Sequence, residues 1–232
     1  MAQFNPASTL FFLCDLQTKF RPAIFAFDHV VNTTNKLLKL AKILGIEVVA
    51  TTQNTRGAQF RQYLLIPLTP DTLALGPIDP AIDLLSLGDL HLGTFDKTLF
   101  SMLTADVKQL LDSRPHIRSV VLFGIESHIC ITQTALSLLA LPARIKPYVV
   151  ADGVSSTNAH EIPLALDRLR QEGAVVATSE SLAFQLIGDA GRPEFKTFSA
   201  LVKQEKERTT AAVNTFLGPK DDSTSPYARS SM

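Results

Sequence analysis

The chain has 232 residues, with 22 basic and 22 acidic side chains and a formal net charge of +0. Hydrophobic residues make up 46%, enough for one sizeable core. The neutral balance argues against a general nucleic-acid binder, which needs a surplus of Lys and Arg on one face, and against a polybasic membrane-surface protein. No apolar run reaches the roughly 20 residues that span a bilayer. Residues 1–9 lack the basic and apolar regions of a secretory signal.

Short apolar runs alternate with helical periodicity along the chain. Thr9 to Cys14 is continuously apolar and reads as a strand buried on both faces. Asp28 to Leu44 reads as a helix, with Asp28 as N-cap and Gly45 closing it. Ile46 to Thr51 is the next strand. From Gln53 to Gly93 the pattern is irregular and Pro-rich, a long excursion with a strand near His91 to Phe95. A helix follows over Thr104 to Leu111, with Thr104 as N-cap. Ser119 to Phe123 reads as a buried strand stopped by Gly124, and Ser127 to Ala140 as a helix. Ile145 to Val150 is a strand whose pairing Pro147 limits. Ala159 to Gln171 reads as a helix, Ala174 to Thr178 as a strand, Ser179 to Ile187 and Pro193 to Val213 as helices. This alternation implies βαβ units and a mainly parallel sheet between helices. Residues 1–217 read as a single domain, and 218–232, rich in Ser, Pro and Asp, as a disordered tail.

The chain has two cysteines, Cys14 and Cys130. Two do not make a disulfide framework, and both read as free thiols. In open parallel sheets, ligands bind beyond the carboxyl ends of the strands. Asp15 ends the first strand, Lys97 follows the excursion, and Cys130 lies in the first turns of the helix after Gly124. Two readings of Cys130 stand. It is a buried structural thiol, or it is a nucleophile whose thiolate is favoured at the positive end of a helix. Asp15 is either a strand-end cap or a partly desolvated general base. Lys97 by itself reads as a surface lysine. Cys14 reads as core, because side chains alternate along a strand and send Cys14 and Asp15 to opposite faces. The five histidines show no metal-ligand spacing. His128 reads as a surface or interface residue, since residues two apart on a helix do not face each other. No dinucleotide, P-loop or nucleophile-elbow motif occurs.

Several segments match a known pattern in order. They are Leu13-Cys14-Asp15-Leu16-Gln17-Thr18-Lys19-Phe20-Arg21-Pro22, Lys97-Thr98-Leu99-Phe100-Ser101-Met102 and Gly124-Ile125-Glu126-Ser127-His128-Ile129-Cys130. Val150-Ala151-Asp152-Gly153 and Thr178-Ser179-Glu180 extend the match. From Thr9 to Lys203 the chain resembles the isochorismatase-like cysteine hydrolase family, nearest its eukaryotic isochorismatase domain-containing branch. The resemblance implies a three-layer α/β/α fold, doubly wound in the Rossmann manner, around a central mainly parallel sheet. It implies an Asp–Lys–Cys triad, with Asp15 as general base, Lys97 as electrostatic partner and Cys130 as nucleophile. It also implies a cis Ile125–Glu126 peptide that turns the N–H groups of Glu126 and Cys130 toward an oxyanion. Phe20, Gln53 and Asn54 are the substrate-pocket candidates. The zinc-binding nicotinamidase branch carries an Asp-x-His set after its second strand. Thr51 to Gly57 has none, so neither a metal nor a cofactor is expected.

The expectation is a cysteine hydrolase acting on a small amide-like or related molecule through a thioester. It places the protein in the cytoplasm or an organelle, as a homo-oligomer with neither nucleic-acid nor membrane partners. The alternative is a non-catalytic interaction or scaffold protein on the same fold. A third reading, a redox-sensing thiol protein, needs Cys14 on the same side of the sheet as Cys130.

Overall fold

The structure is a computed structural model and describes residues 4–53, 75–143 and 145–218. The expected tail beyond residue 218, the candidate Asn54 and most of the irregular excursion lie outside the described residues.

Strand β1 (Thr9–Cys14) is buried at every position. An apolar run without alternation suits only a strand covered on both faces. Helix α1 (Phe27–Leu44) follows, capped by Ala26 in the left-handed region, with Asp28 in its first turn rather than at the cap. Gly45 ends it at φ 65, as expected. Ile46 donates its N–H to the Ala41 carbonyl at 2.9 Å and so belongs to the helix closure. That is why β2 (Val48–Gln53) starts two residues later than the apolar run suggests.

β3 (His91–Lys97) comes next, then α2 (Ala105–Asp112), with Thr104 accepting from the Val107 N–H as its cap. β4 (Ser119–Ile125) runs through Gly124 instead of stopping there. A π-helical turn (Ser127–Ile131) leads into α3 (Thr132–Leu139). β5 (Lys146–Ser155) is longer than expected. Pro147 lies just before the stretch that pairs with β6 (Val175–Ala177), so its missing N–H costs that edge no ladder bond. Helices α4 (Glu161–Gln171), α5 (Ser179–Ile187) and α6 (Phe195–Leu217) complete the described chain.

The six strands form one sheet in the order β3-β2-β1-β4-β5-β6, and every neighbouring pair is parallel. Alternate β1 residues feed two separate cores. Phe11 and Leu13 pack with Val30, Leu37, Leu182 and Phe198 of α1, α5 and α6. Leu10, Phe12 and Cys14 pack with Val107, Leu138 and Leu166 of α2, α3 and α4. This is the three-layer α/β/α architecture. The connections run outward in opposite directions from β1 and β4, and the crevice at the carboxyl ends of these two strands is where such folds bind ligands.

Candidate active site

β1 delivers Asp15 to that crevice, and the residue immediately leaves strand geometry. Its φ is 51, in the left-handed region that Asp tolerates better than most residues. Its carbonyl accepts from the Gln17 N–H at 2.7 Å, which tightens the bend. The carboxylate is buried. Thr51, in the carboxyl half of β2, donates to Oδ1 at 2.8 Å, and Lys97 Nζ lies 2.6 Å from Oδ2.

The left-handed turn overturns one sequence expectation. Cys14 does not point away from Asp15. Its thiol donates to Asp15 Oδ2 at 3.5 Å. Strand alternation fails here because it holds only while the backbone remains extended, and Asp15 does not. Cys14 lies on the α2–α3–α4 face, in the same core as Cys130.

Gly124 lets β4 run close beside this point. It pairs with Cys14 at φ 126, and a Cβ there would meet the Cys14 carbonyl oxygen at 2.2 Å. A side chain at that position would push β4 away from β1.

Lys97 ends β3 with its side chain fully buried. Besides Asp15 it bonds to the Gln53 side-chain oxygen and donates to the Leu99 carbonyl at 3.2 Å. It also approaches Cys130 Sγ at 3.7 Å. Burial alone would lower the pKa of this ammonium. The negative charge of Asp15, aided by the adjacent sulfurs, outweighs burial, and the net shift is upward. Lys97 is therefore a paired internal cation, not a surface lysine.

Cys130 sits in the π-helical turn, where the sequence reads as an ordinary helix start. Such turns are rare and frequent at functional sites. Glu126 introduces the turn in the left-handed conformation, φ 60 and ψ 64. No cis peptide occurs among the described residues, so the expected cis Ile125–Glu126 bond is absent. The chain reverses through the Glu126 dihedrals instead.

The Glu126 side chain is buried as well. Burial raises its carboxyl pKa, against the opposing pull of Thr157 and His128. Oε1 accepts from Thr157, and Oε2 lies 3.5 Å from His128 Nδ1. His128 also meets Ser156 Oγ at 3.0 Å, and Ser156 bonds Ser127 at 2.6 Å. His128 is thus tied into a polar network beside the turn.

The structure brings Asp15, Lys97 and Cys130 together. Among the pocket candidates, Gln53 bridges Lys97 and the Thr98 carbonyl, and its N–H donates to the Gln17 side chain at 2.8 Å. Phe20 is 1% exposed and packs in the core on the α1 side. Sequence reasoning missed Thr51 and Gln17. Gln17 lies in the loop just beyond β1 and Thr51 in the carboxyl half of β2, and closeness to the strands' carboxyl ends is the signal that would have found them.

Cys14, Asp15 and Cys130 place three potential ligand atoms within 4.8 Å of one another. A cation there would lie against the Lys97 ammonium, which already neutralises Asp15. The donor set therefore suits a protonated amine better than a metal ion.

The fold and this crevice define a doubly wound α/β protein with a buried Asp–Lys–Cys cluster at its switch point. A family model for the isochorismatase domain matches residues 9–181. The chain is 41% identical over 199 residues to isochorismatase domain-containing protein 2 of Bos taurus, covering 86% of this chain and 85% of that protein. It is 39% identical over 198 residues to isochorismatase domain-containing protein 1 of Salmo salar, covering 85% of this chain and 62% of that one. A solved structure described as a MAR1 ribonuclease from Caenorhabditis elegans superposes with a TM-score of 0.74 at 31% identity, covering 94% of this chain and 98% of that one. The chain belongs to the isochorismatase-like hydrolase family.

Proposed function

We propose that the protein is a cysteine hydrolase of small amide-like or related molecules, with Cys130 as nucleophile, Asp15 as general base and Lys97 as the cation between them. One observation carries this reading. Three chain segments converge on a single spot, with Lys97 Nζ 2.6 Å from Asp15 and 3.7 Å from Cys130 Sγ. Buried charges are costly unless paired, and here the pair faces a thiol.

Asp15 takes the Cys130 proton, and the thiolate attacks the substrate's carbonyl carbon. The carbonyl electron pair moves onto oxygen, where N–H groups of the turn from Glu126 to Cys130 stabilise it. Collapse breaks the C–N bond, and the amine leaves with the proton held by Asp15. The thioester is then hydrolysed. Asp15 takes a proton from water, the hydroxide attacks, and the acid departs as the proton returns to sulfur. Lys97 stays charged and compensates whichever partner carries the negative charge.

The ribonuclease description belongs to the nematode neighbour. Phosphodiester cleavage on this chain would need cations along the RNA backbone. The formal net charge is +0, and the ammonium in the crevice is already paired with Asp15. Acyl chemistry is favoured. The working unit is a homo-oligomer on this reading.

The test is a panel of small amides and esters offered to the wild type and to Cys130→Ala. Wild type should turn over at least one member, and Cys130→Ala should be slower by about 10³-fold or more. Equal rates would overturn the mechanism. An inactive wild type, with Cys130 alkylated by iodoacetamide no faster than a model thiol, would assign the fold to a non-catalytic binding role.

A further inference from the structure

The hydrolytic reading leaves one reactive side chain unused. Cys14 is fully buried, and its thiol donates to Asp15 Oδ2 at 3.5 Å. The two sulfurs lie within 4.8 Å of each other. They occupy the same core, on the same face of the sheet. A disulfide needs its sulfurs about 2 Å apart, so a shift of under about 3 Å, within reach of side-chain rotation, would join them.

The two thiols are not equivalent. Lys97 lies 3.7 Å from Cys130 and presents a positive charge to that sulfur. For Cys14, burial first, then the neighbouring Cys130 thiol and the charge of Asp15, push the pKa well up. Cys14 therefore rests as a thiol until a neighbour removes its proton. Asp15 Oδ2, at 3.5 Å, is that neighbour.

We propose that Cys14 is a resolving thiol for Cys130, so that a hydroperoxide converts the pair into a reversible Cys14–Cys130 disulfide before Cys130 is over-oxidised. In the first step Asp15 holds the Cys130 proton and the thiolate attacks one peroxide oxygen. The O–O bond breaks. Sulfur is oxidised to a sulfenic acid, and the hydroperoxide is reduced to an alkoxide or hydroxide that takes the proton from Asp15. In the second step Cys14 passes its proton to Asp15 and attacks the Cys130 sulfur. The S–S bond forms, the S–O bond breaks, and the departing hydroxide leaves as water with that proton. A dithiol reductant reverses the bond. The proposal does not require Cys130 to be a hydrolytic nucleophile, only that a hydroperoxide reach it.

The experiment uses the reduced full-length chain. It is treated with a few equivalents of hydrogen peroxide, quenched with N-ethylmaleimide, and weighed intact without reductant. The expected product is monomeric, lighter by two hydrogens, closed to alkylation at both cysteines, and returned to two alkylation sites by dithiothreitol. Peptide mapping should place the link between Cys14 and Cys130. In Cys14→Ser and Cys14→Ala, checked for folding by circular dichroism, Cys130 should instead gain two or three oxygens that dithiothreitol does not remove. Wild type that accumulates those oxygens without losing the two hydrogens would overturn the proposal. So would folded Cys14 variants whose Cys130 is as recoverable as wild type. Because the readout is mass, the outcome is independent of whether any amide is turned over.

Discussion

Asp15 Oδ2 and Lys97 Nζ lie 2.6 Å apart, with their side chains 2% and 0% exposed. Neither charge has useful access to water, so each depends on the other. Lys97→Met should strand the carboxylate and cost about 3–5 kcal/mol. The double variant Asp15→Asn/Lys97→Met should recover part of that loss, because no uncompensated charge remains. Urea midpoints of the three proteins check this, and a double variant less stable than Lys97→Met alone would contradict it.

The same pair sets an alkaline limit. The folded pKa of Lys97 is raised, since the Asp15 charge outweighs desolvation. A raised folded pKa stabilises fully below the unfolded value, about 10.4 for lysine, and the contribution is lost as pH rises through the folded value. Wild-type stability should therefore fall above about pH 10.4. Lys97→Met should lack that component when unfolding is followed across alkaline pH.

Gly124→Ala should be among the most damaging small substitutions. Its Cβ would lie 2.2 Å from the Cys14 carbonyl oxygen and 2.8 Å from the Cys14 nitrogen, both backbone atoms that cannot swing aside. The φ of 126 adds strain of about 1–3 kcal/mol. Soluble yield and melting temperature should both drop. A variant that melts within a degree or so of wild type would show that β1 and β4 can separate freely.

Arg21 and Asp79 govern the acid limb on the α1 side. The guanidinium grips the buried carboxylate through Nε at 3.0 Å and Nη2 at 2.9 Å. Burial would raise the Asp79 pKa, but the bonds from Arg21 and the Ala81 N–H prevail and lower it. A depressed folded pKa gives stability that is present above the unfolded value, about 3.9, and is lost as pH falls through the folded one. Asp79→Asn should be less stable at neutral pH by about 1–3 kcal/mol. It should also lose less on acidification than wild type, as urea titrations at neutral and acid pH would report.

Lys36 is a buried cation with a poor partner. Its ammonium donates to Thr209 Oγ1 at 2.8 Å, and burial lowers its pKa despite Asp152, Glu180 and Glu205 nearby. Leu37, Leu40, Phe198 and Leu201, with the polar Ser179, Glu180 and Thr209, line a cavity of about 10 Å³ beside it. Lys36→Met keeps the length and removes the charge. It should raise the melting temperature by about 2–4 °C for each kcal/mol relieved in a chain of this size. A drop in thermal unfolding would show that the Thr209 bond outweighs the desolvation.

Much of the sheet was legible because burial on both faces leaves a plain mark. TLFFLC could be little else than a central strand, and Gly45 and Thr104 ended and began their helices where their chemistry required. The site was legible only as a set of strand-end residues. Its closeness was hidden in two left-handed residues, Asp15 and Glu126. Neither Asp nor Glu announces that conformation in a single sequence. At Asp15 it folded the carboxylate back toward Cys14, against strand alternation. At Glu126 it supplied the reversal that the family pattern had suggested a cis bond would make. The π turn was equally hidden, since Ser-His-Ile-Cys-Ile is unremarkable as α-helix.

The sheet order carries a consequence for the newborn chain. Asp15 comes from β1, Lys97 from β3 at the sheet edge, and Cys130 from the turn after β4. β2 must sit between β1 and β3 before Lys97 can reach Asp15, and β4 must dock on the far side before Cys130 joins them. Until both halves have assembled, Cys130 has neither the ammonium nor the carboxylate beside it and reacts as any other thiol. The Asp15–Lys97–Cys130 cluster is thus a late acquisition of folding, and a change in the Cys130 alkylation rate would time the closure of the sheet.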